Sequence, residues 1–168
     1  MEARAKLFGH PVHSMLIVFP LGLLATAVIF DLIYLVTNSG RWAEISYWMI
    51  AAGIVGGLIA AVFGFLDWTK IPAGTRAKKV GTVHGVGNVL VVGLFAVSWL
   101  LRSGLPTSPG TAALTCSFAG GGLALLTGWL GGELVIQHGI GVSANSSLDG
   151  PGSMAHPAAK RSTPIPTR

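Results

Sequence analysis

The stretch HPVHSMLIVFPLGLLATAVIFD, residues 10–31, decides the fold, because it is long, apolar and has His13 near one end and a charged residue at the other. A second stretch, GTVHGVGNVLVVGLFAVSWLLR, residues 81–102, repeats this pattern around His84. In both stretches the histidine and the terminal charge are 18 positions apart. That spacing is five turns of α-helix and about 27 Å, close to the thickness of a bilayer core. It predicts two membrane-spanning helices with their histidines at the same depth.

The composition of the whole chain agrees with a membrane protein. Its 168 residues are 51% hydrophobic and only 10% charged, and the mean hydropathy is +0.67. Soluble proteins carry about 25% charged residues. The net charge of +5 does not indicate a nucleic-acid partner, because the charges lie between the apolar segments. The partner that this composition predicts is the lipid bilayer.

Four segments are long and apolar enough to span a bilayer, which predicts an all-α, integral membrane four-helix bundle with up-down-up-down topology. Residues 1–142 form this one transmembrane domain. The remainder, residues 143–168, is rich in Ser, Pro, Gly and Ala and is expected to be a disordered cytoplasmic tail. The predicted spans are Val12–Val36, Glu44–Leu66, Val80–Leu101 and Thr111–Ile136.

Lysine and arginine residues are distributed unequally about these spans. Nine of the 11 lie before the first span, between the second and third, or after the fourth. Only Arg41 and Arg102 lie on the other side. Cytoplasmic loops carry the excess of Lys and Arg. Both termini and the second-to-third loop are therefore predicted to be cytoplasmic.

The two quoted stretches also predict a tandem two-helix repeat. An offset of 71 residues places His13 on His84. The halves would be related by a pseudo-two-fold axis along the membrane normal. Spans one and three would then lie diagonally across the bundle, with His13 facing His84. Other pairs in this register are Val12/Val83, Gly22/Gly93, Leu23/Leu94, Gly57/Gly128 and Asp67/His138.

Polar residues gather near the predicted cytoplasmic ends of the spans. Ionisable groups within membrane segments usually face the bundle interior and mark function. Their convergence on one layer is the strongest functional signal in the sequence. The members are His10, His13, Asp67, His84, Asn88, Glu133 and His138.

Three chemistries fit this layer. The first is a b-type haem with His13 and His84 as axial ligands, Asn88 on the same helix face as His84, and Arg76 near the propionates. The second is a non-haem Zn, Fe or Mn ion bound by the same two histidines. The third uses no cofactor and is a hydrogen-bonded layer, or a proton relay, that joins helix ends. Further ligands available to the non-haem metal are His10, Asp67, Glu133 and His138.

Asp31 and Arg102 lie at the other ends of the two repeated stretches, at matching height. We expect each to reach the aqueous surface, with a salt bridge between them as the alternative.

Three stretches carry a resemblance to a known family: GHPVHSMLIVFPLGLLATAVIFDLIY (9–34), GFLDWTKIPAGTRAKKVGTVHGVGNVLVV (64–92) and TGWLGGELVIQHGIGV (127–142). Over about residues 7–142 the chain resembles the bacterial membrane family known as domain of unknown function 2231. The resemblance implies a four-helix domain in the bacterial inner membrane with no assigned activity. Relatives fused to Rieske iron–sulfur domains imply an electron-transfer setting, which favours haem.

The preferred interpretation is an electron-transfer subunit that binds haem b through two histidines near the cytoplasmic face. The alternatives are a non-haem metal-binding protein and a cofactor-free structural or assembly protein. No hydrolase or transferase motif is present, which favours a non-enzymatic role. Redox partner proteins and a homodimer formed through outward glycine faces are further expectations.

Overall fold

The computed structural model describes residues 1–143, 146–150 and 152. Within these residues the four predicted spans are present as helices, which confirms the all-α membrane fold. The predicted tail falls largely outside the described residues. A short N-terminal hairpin precedes the spans. The elements are β1 (Lys6–Leu7), β2 (His10–Pro11), α1 (Val12–Leu16), α2 (Val18–Thr37), α3 (Gly40–Lys70), α4 (Arg76–Arg102) and α5 (Thr111–Ile136).

The first span consists of α1 and α2, which Ile17 joins with helical backbone angles. The interruption follows from Pro20, which has no N–H to donate to the carbonyl of Leu16. The hydrogen bonds on either side continue, from Ile17 N to His13 O and from Leu21 N to Ile17 O, both 3.1 Å long. The two segments therefore act as one membrane-spanning unit.

Helices α3 and α4 extend past the predicted spans, to Lys70 and back to Arg76. The apolar segments end where charged residues begin, but the helices continue because lysine and arginine have high helix propensity. The start of α4 is fixed by Thr75, whose Oγ1 accepts a hydrogen bond from the backbone N–H of Lys78 at 3.1 Å. The bilayer core sets the apolar length, while capping sets the helix end.

The helices form two antiparallel hairpins, α1–α2 with α3 and α4 with α5, which join through α3 and α4 and through α2 and α5. The first and third spans are therefore diagonal, as predicted. The buried apolar core is small, because the outer helix faces meet lipid. Its central cluster comprises Leu24, Ala27, Ile50, Val91 and Phe95.

Within each hairpin a large side chain packs directly on a glycine of the neighbouring helix. A Cβ placed on Gly53 would lie 2.5 Å from Cδ2 of Leu24, and one placed on Gly120 would lie 3.0 Å from Cδ2 of Phe95. Leu24 and Phe95, on the first helices of the two hairpins, are 71 positions apart, which is the predicted offset of the repeat. The glycines on which they pack, Gly53 and Gly120, are only 67 positions apart. The chain between the two contact residues is thus four residues shorter in the second hairpin, although the loop between its helices, residues 103–110, is longer than residues 38–39 of the first. The predicted register of Gly57 with Gly128, and of Asp67 with His138, is therefore wrong.

Candidate functional site

His13 joins the first span to α3. Its Nδ1 lies 2.9 Å from the carbonyl oxygen of Ala60. Since a carbonyl only accepts, Nδ1 carries the proton in this hydrogen bond. The ring packs on Gly64, where an added Cβ would lie 2.8 Å from Cε1 of the imidazole.

His84 makes the equivalent contact in the second hairpin. Its Nδ1 lies 2.8 Å from the carbonyl oxygen of Thr127. A Cβ on Gly131 would lie 3.0 Å from Cε1 of its ring. The two histidines match at offset 71, and the residues that they contact match at 67. Each histidine thus binds the second helix of its own hairpin.

Asn88 makes the second histidine contact more polar than the first. Its Nδ2 lies 3.2 Å from Nε2 of His84 and donates to the His84 carbonyl at 2.9 Å. Its Oδ1 accepts a hydrogen bond from Oγ1 of Thr127 at 3.2 Å. The first hairpin has Ile17 and Ala60 at the matching positions and cannot form this network.

The other residues of the predicted polar layer have separate surroundings. Oδ1 of Asp67 accepts the backbone N–H of Arg4 at 2.6 Å. His10 is exposed in β2. Nε2 of His138 is buried and has no hydrogen-bond partner among the described residues.

Glu133 lines a surface cavity of about 280 Å³ with other residues of α5. A second cavity, of about 330 Å³ and lined by apolar residues such as Phe19 and Ile59, lies between the first span and α3. Neither His13 nor His84 lines these cavities. In the described part of the chain, no group of three or more His, Cys, Asp or Glu side chains is placed to hold a metal ion.

Asp31 and Arg102 form an ion pair inside the bundle. Nη1 of Arg102 lies 2.7 Å from Oδ1 of Asp31, and Nη2 lies 2.8 Å from Oδ2. The exposed fractions are 0% for Asp31 and 1% for Arg102. The expectation that each reaches the aqueous surface is therefore wrong, and the alternative salt bridge forms. Two charges in a low-dielectric interior are stable only when they pair and satisfy their remaining hydrogen bonds.

Three buried serines complete this network. Ser117 donates to Oδ2 of Asp31 at 2.7 Å. Arg102 donates from Nη1 to Ser46 at 3.3 Å and from Nε to Ser98 at 3.2 Å. Ser98 in turn donates to the carbonyl oxygen of Ala113 at 2.7 Å. The network therefore contains residues from all four spans. Sequence reasoning missed these serines, although each lies in a predicted span near the level of the charges.

A comparison with protein families gives a match consistent with this architecture. The family described as Predicted membrane protein (DUF2231) matches residues 9–144. The chain belongs to this family. Neither the comparison with curated proteins nor that with solved structures gives a match.

The stretches that resemble DUF2231 lie at helix–helix contacts in this family member. The first stretch contributes His13, and the second begins at Gly64, on which its ring packs. The third contributes Thr127 and Gly131, which contact His84. The three stretches thus contain the residues of the histidine contacts in both hairpins.

Proposed function

We propose that this DUF2231 member is a structural or assembly subunit of a membrane system, in which the intramembrane polar residues join helices. The observation that supports it best is the pair of histidine–carbonyl bonds, at His13 and at His84, made in the same way in both hairpins. A cofactor site shared by two histidines does not require each ring to bind its own hairpin. A helix-joining role, by contrast, requires each histidine to bond to a neighbouring helix.

The buried ion pair supports the same role. Apolar side chains gain little by leaving lipid for a helix interface, so packing and hydrogen bonds must hold membrane helices together. The bonds around Asp31 and Arg102 connect four spans in a region that water does not reach. Such a bundle is suited to present a fixed outer surface to lipid or to neighbouring subunits.

A bis-histidine haem is the second candidate, favoured by one specific observation. Ligating histidines usually donate their other ring N–H to a carbonyl or a carboxylate, which orients the ligating nitrogen. In both His13 and His84 the Nδ1–H has such a partner, which leaves Nε2 as the ligating atom. The amide of Asn88 lies on Nε2 of His84, so ligation requires Asn88 to move.

Spectroscopy and stability measurements on the purified full chain distinguish these candidates. The structural proposal predicts no Soret band and no stoichiometric metal. It also predicts that His13→Ala and His84→Ala each lower the free energy of unfolding by about 1 kcal/mol, the scale of an interhelical hydrogen bond in a membrane. His10→Ala is the control, because it removes an imidazole outside the spans.

Other outcomes replace the structural proposal. A Soret band that His84→Ala abolishes would establish the haem candidate. A colourless protein with one zinc or iron per chain would establish the non-haem alternative. Unchanged stability in both histidine variants would contradict the helix-joining role.

We further propose that the protein lies in the bacterial inner membrane with both termini in the cytoplasm. The supporting observation is the excess of Lys and Arg at one end of the bundle. In a Cys116→Ser background, single cysteines at Arg41 and at Lys79 test the orientation with a membrane-impermeant maleimide. Labelling in intact cells at position 41 alone is expected, and labelling at position 79 alone would reverse the assignment.

A further inference from the structure

Three cations surround the loop between α3 and α4. Lys70 is the last residue of α3, Arg76 is the first of α4, and Lys79 follows it by three positions. All three are exposed. Arg76 and Lys79 share a helix face, because residues three apart on a helix are neighbours. In the part of the chain that the structure describes, none of the three has an ion pair or a side-chain hydrogen bond.

The loop that carries these cations is held firmly. Ile71 is buried, and its N–H bonds to the carbonyl of Trp68 at 3.1 Å. Oγ1 of Thr75 donates to the carbonyl of Pro72 at 2.8 Å while it caps α4. Gly74 supplies the left-handed turn, with a φ of +79°. The three cations therefore project from a fixed backbone.

Lys78, the fourth cation of this region, has a different role. Its Nζ donates to the carbonyl of Trp68 at 2.7 Å and lies 3.4 Å from the centroid of the Trp68 ring. The indole N–H of Trp68 in turn donates to Oγ1 of Thr82 at 3.1 Å. Lys78 thus fastens the start of α4 to the end of α3, while Lys70, Arg76 and Lys79 stay available to an external anion.

The position of the loop identifies the anion. Two membrane-spanning helices flank it directly, so the cations lie at the level of the lipid headgroups. The opposite end of the bundle differs, since Arg102 there is buried and paired with Asp31. Among the described residues at that end, Arg41 is the exposed cation. Clusters of Lys and Arg that adjoin a membrane helix attract anionic lipids.

We infer that Lys70, Arg76 and Lys79 form a binding surface for the phosphate of an anionic phospholipid headgroup. This surface is separate from the histidine contacts and from the ion pair. It gives Arg76 a role that does not depend on a cofactor.

Native mass spectrometry of the full chain in a neutral detergent tests this inference. Phosphatidylglycerol and phosphatidylcholine of equal chain length are titrated in parallel, and phosphatidylglycerol is expected to bind more tightly. Each cation near an anionic lipid contributes about fivefold to affinity. Arg76→Gln should therefore weaken phosphatidylglycerol binding about fivefold, and the triple change of Lys70, Arg76 and Lys79 to Gln should abolish the preference.

Arg41→Gln is the matched control, because it removes one exposed charge from the other end of the bundle. Lys79→Arg keeps the charge and should keep the affinity, and circular dichroism verifies that each variant is folded. Equal binding of the two lipids, or equal losses in Arg41→Gln and Arg76→Gln, would overturn the inference. Displacement of the lipid by millimolar inorganic phosphate would also overturn it, since the site would then take the free anion.

Discussion

Arg102 and Asp31 lie 71 residues apart in the chain, yet their side chains meet through two parallel hydrogen bonds of 2.7 and 2.8 Å inside the bundle. They occupy equivalent positions in the two hairpins. Identical residues there would place two like charges together in a low dielectric, which is strongly unfavourable. The repeat is thus symmetric in its packing and complementary in its charges.

Breaking this pair should be the most damaging single change in the bundle. Asp31→Leu leaves the arginine charge buried and unpaired, at a cost of about 3–5 kcal/mol. The double variant Asp31→Leu/Arg102→Leu removes both charges and should recover most of the loss. Unfolding in mixed detergent micelles measures both. A double variant as unstable as the sum of the two single variants would contradict the pairing.

The glycine beneath His13 should tolerate no side chain. Gly64→Ala would place Cβ 2.8 Å from the His13 ring, and overpacking of this kind costs about 1–3 kcal/mol. Gly22→Ala is the matched control in the first span, where nothing lies within 4 Å of the added Cβ. Thermal unfolding in detergent should separate the two. Equal melting temperatures for the two variants would contradict the close packing of the ring.

The polar network at His84 predicts non-additive mutations. Thr127→Ala alone leaves Oδ1 of Asn88 without its donor, at a cost of about 1–3 kcal/mol. Asn88→Ile alone should cost less, because Oγ1 of Thr127 keeps the carbonyl oxygen of Ala124 at 3.2 Å as an acceptor. The double variant installs the Ile and Ala that the first hairpin has at these positions. Its loss of stability should be smaller than the sum of the single losses. A fully additive cycle would show that the two side chains are not coupled.

The titration of Glu2 reports the packing of the N-terminal segment. A hydrogen bond and the positive charge from Lys6, followed by a hydrogen bond from Ser143, lower the pKa of the Glu2 carboxyl below its ordinary value. A group with a lowered folded-state pKa stabilises the fold above its unfolded pKa, and this contribution disappears as pH falls through the folded pKa.

Carboxyl-selective carbon NMR on the labelled protein measures this pKa. Lys6→Met should raise it towards the ordinary glutamate value, because both leading causes of the shift are removed. Lys70→Met, a change of the same kind elsewhere on the surface, should leave the pKa of Glu2 where it is. If the pKa of Glu2 is the same with and without Lys6, the contact between these two side chains is excluded.

Much of the histidine contact could be anticipated and part of it could not. The 18-residue spacing placed His13 and His84 at equivalent depths. It could not show which way each ring points, because a helix residue between two neighbours has more than one partner within reach. The rings bind the carbonyl oxygens of Ala60 and Thr127 in their own hairpins. They can do so because Gly64 and Gly131 have no side chain and allow each ring to approach the neighbouring helix closely.

The sequence by itself determined the four spans and the match between the first helices of the two halves, because hydrophobic length and the spacing of polar residues are local properties that the bilayer constrains directly. The tertiary structure decided that Asp31 and Arg102 face inward, that three serines complete their hydrogen bonds, and that the second helices match at 67 residues. These features depend on helix rotation and on contacts between residues distant in the chain. A hydropathy pattern along the linear sequence carries no information on such contacts.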